Sequence, residues 1–238
     1  MLYHIRQIIQ GGRKMKIGLI VAIEMDSIFQ HYGEIEKLTS PKGFELYKTQ
    51  KGENEIFILR TGMGEIAAAA GTQYLITFCG VKVIVNYGVV GGLTHEMGKH
   101  KVCLIERVVH YKYDCSEFLE LKIGQVDGHD SIYLFTDPLL LSKALEVSGA
   151  LVKATCCSGD KFIGTEKEKA QLHSDFGGDV CDMESAGIVL TCELNDVPCL
   201  MFKAVSDGLS GGAGEFFDEL NKASLLCLEA ADEVISAL

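Results

Sequence analysis

Carboxylates recur in this sequence at one kind of position, directly after short apolar runs that predict β-strands. Ligands of α/β proteins bind at the carboxyl ends of the strands, so these acids are candidates for a shared pocket. Carboxylates in one pocket push their pKa values apart, which suits proton transfer and the binding of hydroxyl groups. The alternative is that each acid caps the helix that follows it. The positions are Glu24, Asp26, Asp160, Asp182, Glu184 and Asp207.

Two glycine-rich segments follow predicted strands as well, at 61–64 (TGMG) and 88–92 (GVVGG). Glycine lets the backbone approach a ligand closely, although such clusters also serve tight turns. Neither segment matches GxGxxG or GxxxxGK[ST], so neither a dinucleotide-binding fold nor a P-loop is supported.

Strands that alternate with helices must position these residues. Such alternation predicts a mixed or mostly parallel sheet covered on both faces. We predict strands at 16–22, 44–49, 55–61, 82–87, 102–109, 150–158, 180–183 and 199–205. We predict helices at 64–79, 138–148, 166–174, 185–195 and 216–238, and irregular structure at 111–135.

Composition narrows the function classes. The chain has 238 residues, with 22 Lys and Arg against 33 Asp and Glu, for a net charge of −11, which disfavours nucleic-acid binding. The nine cysteines form no CxxC pair, which predicts a reducing, cytoplasmic setting rather than a disulfide framework or a zinc site. No apolar run is long enough to span a membrane. We expect residues 1–14 to be an N-terminal extension and residues 15–238 a single domain.

Six motifs in this order carry a resemblance to a known family: KIGLIVAIEMD (16–26), RTGMGEIAAAA (60–70), VIVNYGVVGGL (83–93), SGDKFI (158–163), DMESA (182–186) and KAVSD (203–207). Together they resemble the nucleoside phosphorylase superfamily, and within it most closely the 5′-methylthioadenosine/S-adenosylhomocysteine nucleosidases. The resemblance implies a three-layer α/β/α fold with a central mixed, partly barrel-like sheet.

The resemblance also implies catalytic roles. Asp207 matches the general acid that protonates purine N7, and Ser206 matches the residue that orients it. Glu184 matches the carboxylate that holds the ribose hydroxyls. Asp26 matches the acid that activates water, but the family has Glu there, and Glu24 is the alternative.

Substrate-binding residues follow in the same way. Met183 matches a residue that packs on the sugar, and Phe162 and Ile163 match the adenine site. Phe217 matches an aromatic lining the 5′ pocket, and Gly88 belongs to the glycine loop that approaches the ligand.

Some residues differ from the family pattern, and they match positions around the attacking water and the sugar. Val89 replaces a family Ser, and Lys203 replaces a family Arg, whose planar fork a lysine cannot reproduce. Asn86 stands at the position of the phosphorylase loop arginine. Arg60 approaches a phosphate only if its strand end faces inward. Water is therefore the favoured nucleophile.

The sequence thus predicts a purine nucleoside N-ribohydrolase that acts on 5′-methylthioadenosine and S-adenosylhomocysteine and releases adenine. The chemistry requires no cofactor and no metal, and the only expected partners are the small-molecule nucleoside and a second copy in a homodimer. Two alternatives stay open: a phosphate-dependent phosphorylase and a non-catalytic nucleoside-binding homologue.

Overall fold

The computed structural model describes residues 14–238. The predicted extension at 1–14 therefore lies outside the described residues, except for Lys14. Within the described part of the chain, no helix is long and apolar enough to cross a membrane.

Within the described residues, ten strands form one mixed sheet. They are β1 (Lys16–Val21), β2 (Glu36–Leu38), β3 (Glu45–Lys51), β4 (Asn54–Arg60), β5 (Val83–Gly92), β6 (Val102–His110), β7 (Leu134–Phe135), β8 (Val152–Ser158), β9 (Val180–Asp182) and β10 (Cys199–Asp207).

The same residues, 14–238, contain seven α-helices. They are α1 (Met25–Tyr32), α2 (Glu65–Tyr74), α3 (Ser116–Leu119), α4 (Pro138–Val147), α5 (Glu166–Phe176), α6 (Ser185–Leu194) and α7 (Ala213–Ile235). A π-helical turn, Leu75–Cys79, continues α2 and ends at Gly80, which adopts φ +69°.

Five strands close into a barrel. The order β10–β6–β8–β9–β5 returns on itself because β10 also pairs in parallel with β5. From β5 the sheet continues outward through β1, β4, β3 and β2. Closure gathers the carboxyl ends of β5, β8, β9 and β10 around one opening, next to the end of β1.

Helices cover both faces of the sheet, because its strands are apolar on both sides. Helices α1, α4 and α7 pack on one face, where Ile28, Leu140 and Leu228 join one buried cluster. Helices α2 and α6 pack against each other and contribute Ala68 and Ile188 to the cluster on the other face. The predicted three-layer fold with a partly barrel-like sheet is confirmed.

The sequence patterns missed several short elements. Helix α1, strand β2 and the short α3 and β7 were not predicted, the last two lying within the stretch 111–135. Helix α7 begins at Ala213 rather than at 216, and β5 extends through the glycine segment to Gly92. These differences matter because Glu24, which precedes α1, and residues of β5 and α7 line the candidate site.

Candidate active site

A cavity opens where the barrel strands end beside β1. Its walls combine carboxylates with apolar and aromatic side chains. The acids are Glu24, Asp182, Glu184 and Asp207, and the larger apolar residues are Met63, Phe162, Ile163, Met183 and Phe216.

Asp207 ends strand β10 and faces the cavity although only 1% of it is exposed. The β10–β5 register shifts between Val205 and Asp207, and this irregularity brings Asp207 opposite Gly91. The hydroxyl of Ser206 donates to Asp207 Oδ1 at 2.8 Å. Ser206 itself is fully buried and does not line the cavity, so its structural relation to the ligand is through Asp207.

Behind Asp207 lies Lys169, which the sequence analysis missed. Its Nζ is 2.6 Å from Asp207 Oδ2, and none of its side chain is exposed. Lys169 lies in the first turns of α5, which Thr165 caps by accepting a hydrogen bond from the Glu168 N–H. The motif TEKEKAQ resembles a solvated charged helix face, so the sequence pattern contains no sign that this lysine is buried.

Glu24 follows β1 and lines the cavity. Its Oε2 accepts hydrogen bonds from the N–H groups of Ala22 and Ile23, and its Oε1 accepts one from Val89 N–H at 3.1 Å. The buried hydroxyl of Tyr87 donates to the Glu24 carbonyl at 2.9 Å and fixes the start of α1. The carboxylate is thus held on three sides and retains lone pairs for a water molecule.

The structure does not bring Asp26 to this cavity. Asp26 is exposed in the first turn of α1, and Glu24 lines the wall where the sequence analysis expected Asp26. The reason is where α1 begins: Glu24 precedes the first helical residue, and two residues further along a helix the direction has turned by about 200°. This corrects the preference for Asp26.

Gly88 lies beneath Glu24 rather than on the cavity wall. A Cβ at this position would be 2.9 Å from Glu24 Oε1 and 3.7 Å from Lys203 Nζ. The absent side chain makes room for the Glu24 carboxylate, and the lining is formed by Val89, Val90 and Gly91. Direct contact of Gly88 with a ligand, as the sequence predicted, is therefore not supported.

Glu184 lies opposite, at the start of α6. Its Oε1 accepts the Gly64 N–H at 2.8 Å, and Gly64 has φ +100°, a conformation that favours glycine. Loss of hydration in the cavity wall raises the pKa of Glu184 to about 7, and the negative charge of Asp182 adds to the effect. Near neutral pH this carboxyl therefore exists in both protonation states.

Asp182 serves the framework. Its Oδ1 accepts the N–H groups of Glu184 and Ser185, which caps α6, and its Oδ2 is 2.8 Å from Lys203 Nζ. Burial alone would raise the pKa of Asp182, but the Lys203 ammonium outweighs that effect and the pKa is lowered. Lys203, in the place of the family arginine, is thus committed to this buried pair.

Aromatic side chains form the outer wall. Phe162 and Phe216 both line the cavity, with ring centroids 5.6 Å apart in an edge-to-face arrangement. Ile163 and Met183 line it as well. Phe217, which the sequence analysis selected, is 72% exposed and does not reach the lining, because it lies about 100° further around α7 than Phe216.

The cations available to a phosphate are paired with carboxylates. Arg60 pairs with Glu45 at the outer hairpin. Among the described residues that line the cavity, Lys161 is the only cation, and its ammonium is 2.7 Å from Glu168. Also within residues 14–238, no group of three His, Cys, Asp or Glu side chains is arranged to hold a metal ion.

Fold and cavity together define the class of protein. The family model of the Phosphorylase superfamily matches residues 16–238, so the chain belongs to that superfamily. The resemblance inferred from the six sequence motifs is confirmed.

Within the superfamily the chain is similar to nucleosidases. A 5′-methylthioadenosine/S-adenosylhomocysteine nucleosidase of Glaesserella parasuis is 28% identical over 229 residues, which cover 94% of this chain and 98% of the relative. An aminodeoxyfutalosine nucleosidase of Campylobacter jejuni is 28% identical over 223 residues, covering 89% and 94%. The crystal structure of a Helicobacter pylori 5′-methylthioadenosine/S-adenosylhomocysteine nucleosidase shares the fold, with a TM-score of 0.89, 24% identity, and 95% and 100% coverage.

Proposed function

We propose that this protein hydrolyses the N-glycosidic bond of purine nucleosides and releases the free base. The observation that carries the proposal is the convergence of Glu24, Glu184 and Asp207, from three separate strand ends, on one cavity with an aromatic wall. Breaking an N-glycosidic bond requires a proton for the leaving base, negative charge near the sugar and an activated water. Each carboxylate meets one of these needs.

Asp207 is the general acid at purine N7. Its burial and its hydrogen bond from Ser206 fix the carboxyl at the cavity wall. Protonation of N7 neutralises the charge that develops on the base as the bond to C1′ breaks, so the base departs as a neutral molecule. Phe162 and Phe216 provide apolar surfaces that pack against the base, and Ile163 provides backbone hydrogen-bonding groups beside it.

Glu184 and Glu24 act on the sugar side. Glu184 accepts hydrogen bonds from the ribose hydroxyls and, when ionised, stabilises the positive charge of the ribosyl transition state, while Met183 packs on the sugar. Glu24 accepts a proton from the attacking water through a lone pair that its backbone donors leave free. These roles are carried by side chains alone and require no cofactor.

The favoured substrates are 5′-methylthioadenosine and S-adenosylhomocysteine, on the strength of the Glaesserella relative and the sequence motifs. Aminodeoxyfutalosine is the second candidate, because the Campylobacter relative named for it is equally identical to this chain. All three are purine nucleosides with different 5′ substituents, so one catalytic arrangement serves each.

A product assay tests the proposal. 5′-Methylthioadenosine, S-adenosylhomocysteine, aminodeoxyfutalosine, adenosine and inosine are each incubated with the chain, with and without phosphate. Free base and a reducing sugar, formed independently of phosphate and lost in Asp207→Asn, is the expected result. Strict phosphate dependence with a sugar 1-phosphate product would make the protein a phosphorylase, and binding without turnover would make it a nucleoside-binding homologue.

We further propose a homodimer in the cytoplasm. Large apolar side chains are exposed on α2, the turn after it and the end of α6, namely Ile66, Phe78 and Leu194, where a second copy would cover them. The nine free cysteines suit a reducing compartment. Sedimentation of the wild-type chain and of Ile66→Asp tests the dimer, which the variant is expected to dissociate.

A further inference from the structure

Lys169 is a buried charge beside the candidate general acid, and it does not line the cavity. Its ammonium is surrounded by four oxygens: Asp207 Oδ2 at 2.6 Å, Gly208 O at 2.7 Å, Gly211 O at 3.1 Å and Asp207 O at 3.3 Å. An uncompensated ammonium is costly to bury, so this cage commits the lysine to Asp207 and to the turn that leads into α7.

This contact creates a chemical problem for the acid. The 2.6 Å contact joins the Asp207 carboxyl to the Lys169 ammonium, so the hydrogen between the two groups belongs to Lys169 Nζ. The other oxygen of the carboxyl accepts one hydrogen bond, from the hydroxyl of Ser206. The proton that purine N7 receives must therefore reach the Asp207 carboxyl from a neighbouring group, and the nearest hydrogen is on Lys169 Nζ.

We propose that Lys169 is a positioning residue that holds the catalytic proton for Asp207, an inference that rests on the proposed function. As the glycosidic bond breaks, N7 takes a proton from the Asp207 carboxyl, whose O–H bond breaks as N7–H forms. The carboxyl receives that proton from Lys169, whose N–H bond breaks as the O–H bond forms. Lys169 is left as a neutral amine, and water returns a proton to it after the base departs.

Other titratable groups around the pair do not provide this proton. Burial raises the pKa of the Cys181 thiol of β9, so it stays neutral. Burial would also raise the pKa of Glu215 on α7, but its hydrogen bond from Gly208 N–H and the Lys99 ammonium lower it, so it stays ionised. On α5, Glu166 accepts a hydrogen bond from Ser210. The cavity carboxylates facing Asp207 are Glu24, Asp182 and Glu184.

Lys169→Met tests the inference because methionine preserves most of the side-chain length without a proton. Lys167→Met is the matched control, since Lys167 is exposed on the same helix. Two substrates distinguish a role of Lys169 in acid catalysis from a purely structural role. The base of 5′-methylthioadenosine needs a proton in order to leave, whereas the phenolate of nitrophenyl riboside leaves without one. We expect Lys169→Met to lower kcat on the purine nucleoside by about 100-fold at neutral pH, and on nitrophenyl riboside by less than about threefold.

The pH profile gives an independent readout. Without Lys169 the proton has to stay on Asp207 itself, so the ratio of variant to wild-type kcat on the purine nucleoside should fall as the pH is raised. Titration of Glu184 is common to both proteins and cancels in this ratio. Equal losses on both substrates, or a ratio that is constant with pH, would show that Lys169 has only a structural role and would overturn the inference.

Lys169→Arg covers the case in which the methionine variant does not fold. Arginine keeps the buried positive charge but does not release a proton in proteins. Slow purine hydrolysis with normal nitrophenyl riboside cleavage supports the inference, whereas a wild-type purine rate, or loss on both substrates, overturns it. A wild-type chain that releases no base from any purine nucleoside contradicts the proposed function itself, and the inference falls with it.

Discussion

Replacing Glu184 with glutamine should change how stability depends on pH. The pKa of this carboxyl is raised from an ordinary value of 4.5 to about 7, mainly because the cavity wall keeps it from water. A raised pKa means that the folded protein binds this proton more tightly than the unfolded chain does. The stabilising contribution of the proton is therefore complete below pH 4.5 and is lost as the pH rises through 7.

The magnitude follows from the two pKa values. Between pH 5 and pH 8.5 the linkage relation gives a loss of about 2 to 3 kcal/mol in the wild-type free energy of unfolding from this one group. Glu184→Gln cannot ionise and escapes that loss. It keeps an acceptor for Gly64 N–H, and the other contact it perturbs is the 3.3 Å hydrogen bond from Met183 N–H. For a chain of this length the difference corresponds to roughly 5 to 10 °C in Tm.

Urea unfolding of both proteins at pH 5 and pH 8.5 measures the effect. The variant should be similar to wild type or slightly weaker at pH 5, and clearly more stable at pH 8.5. Glu117→Gln, which removes an exposed carboxylate in α3, is the control and should parallel wild type. If Glu184→Gln also parallels wild type over this range, Glu184 does not hold its proton near neutral pH and the reasoning about its hydration is refuted.

Three further predictions test the placement of site residues. Glu24→Gln should lower kcat by about 100-fold or more while Asp26→Asn leaves it nearly unchanged, and the reverse order would return the water-activating role to Asp26. Phe216→Ala should raise KM for the nucleoside by about tenfold, the value of one lost aromatic contact, and Phe217→Ala should raise it less; equal effects would contradict the assignment. Gly88→Ala should lower kcat because its Cβ would lie 2.9 Å from Glu24 Oε1, and an unimpaired variant would show that Glu24 has room to shift.

Much of the fold could be predicted from the sequence, because its signals are local. The apolar run 16–22 predicts β1, and the runs 44–49 and 55–61 predict β3 and β4. Thr136 or Asp137 before Pro138 predicts the start of α4, and the structure shows that the Asp137 carboxylate accepts the N–H groups of Leu139 and Leu140. Short-range periodicity and helix capping depend only on neighbouring residues, so these elements can be predicted without tertiary information.

The sequence by itself also determined that Asp207, Glu184, Phe162, Ile163 and Met183 share one cavity. These residues follow strands, or belong to motifs at strand ends, and ligands of α/β proteins bind at the carboxyl ends of strands. That rule selects segments, and it does not select the side chain within a segment.

Only the tertiary structure decided between neighbours. Glu24 rather than Asp26, and Phe216 rather than Phe217, line the cavity because side-chain direction depends on where α1 and α7 begin and how they pack. The burial of Lys169 depends on α5 packing over the end of β10, 38 residues further along the chain. The charged segment 166–169 (EKEK) has the local pattern of a solvated helix face, and only the tertiary structure brings Lys169 to Asp207.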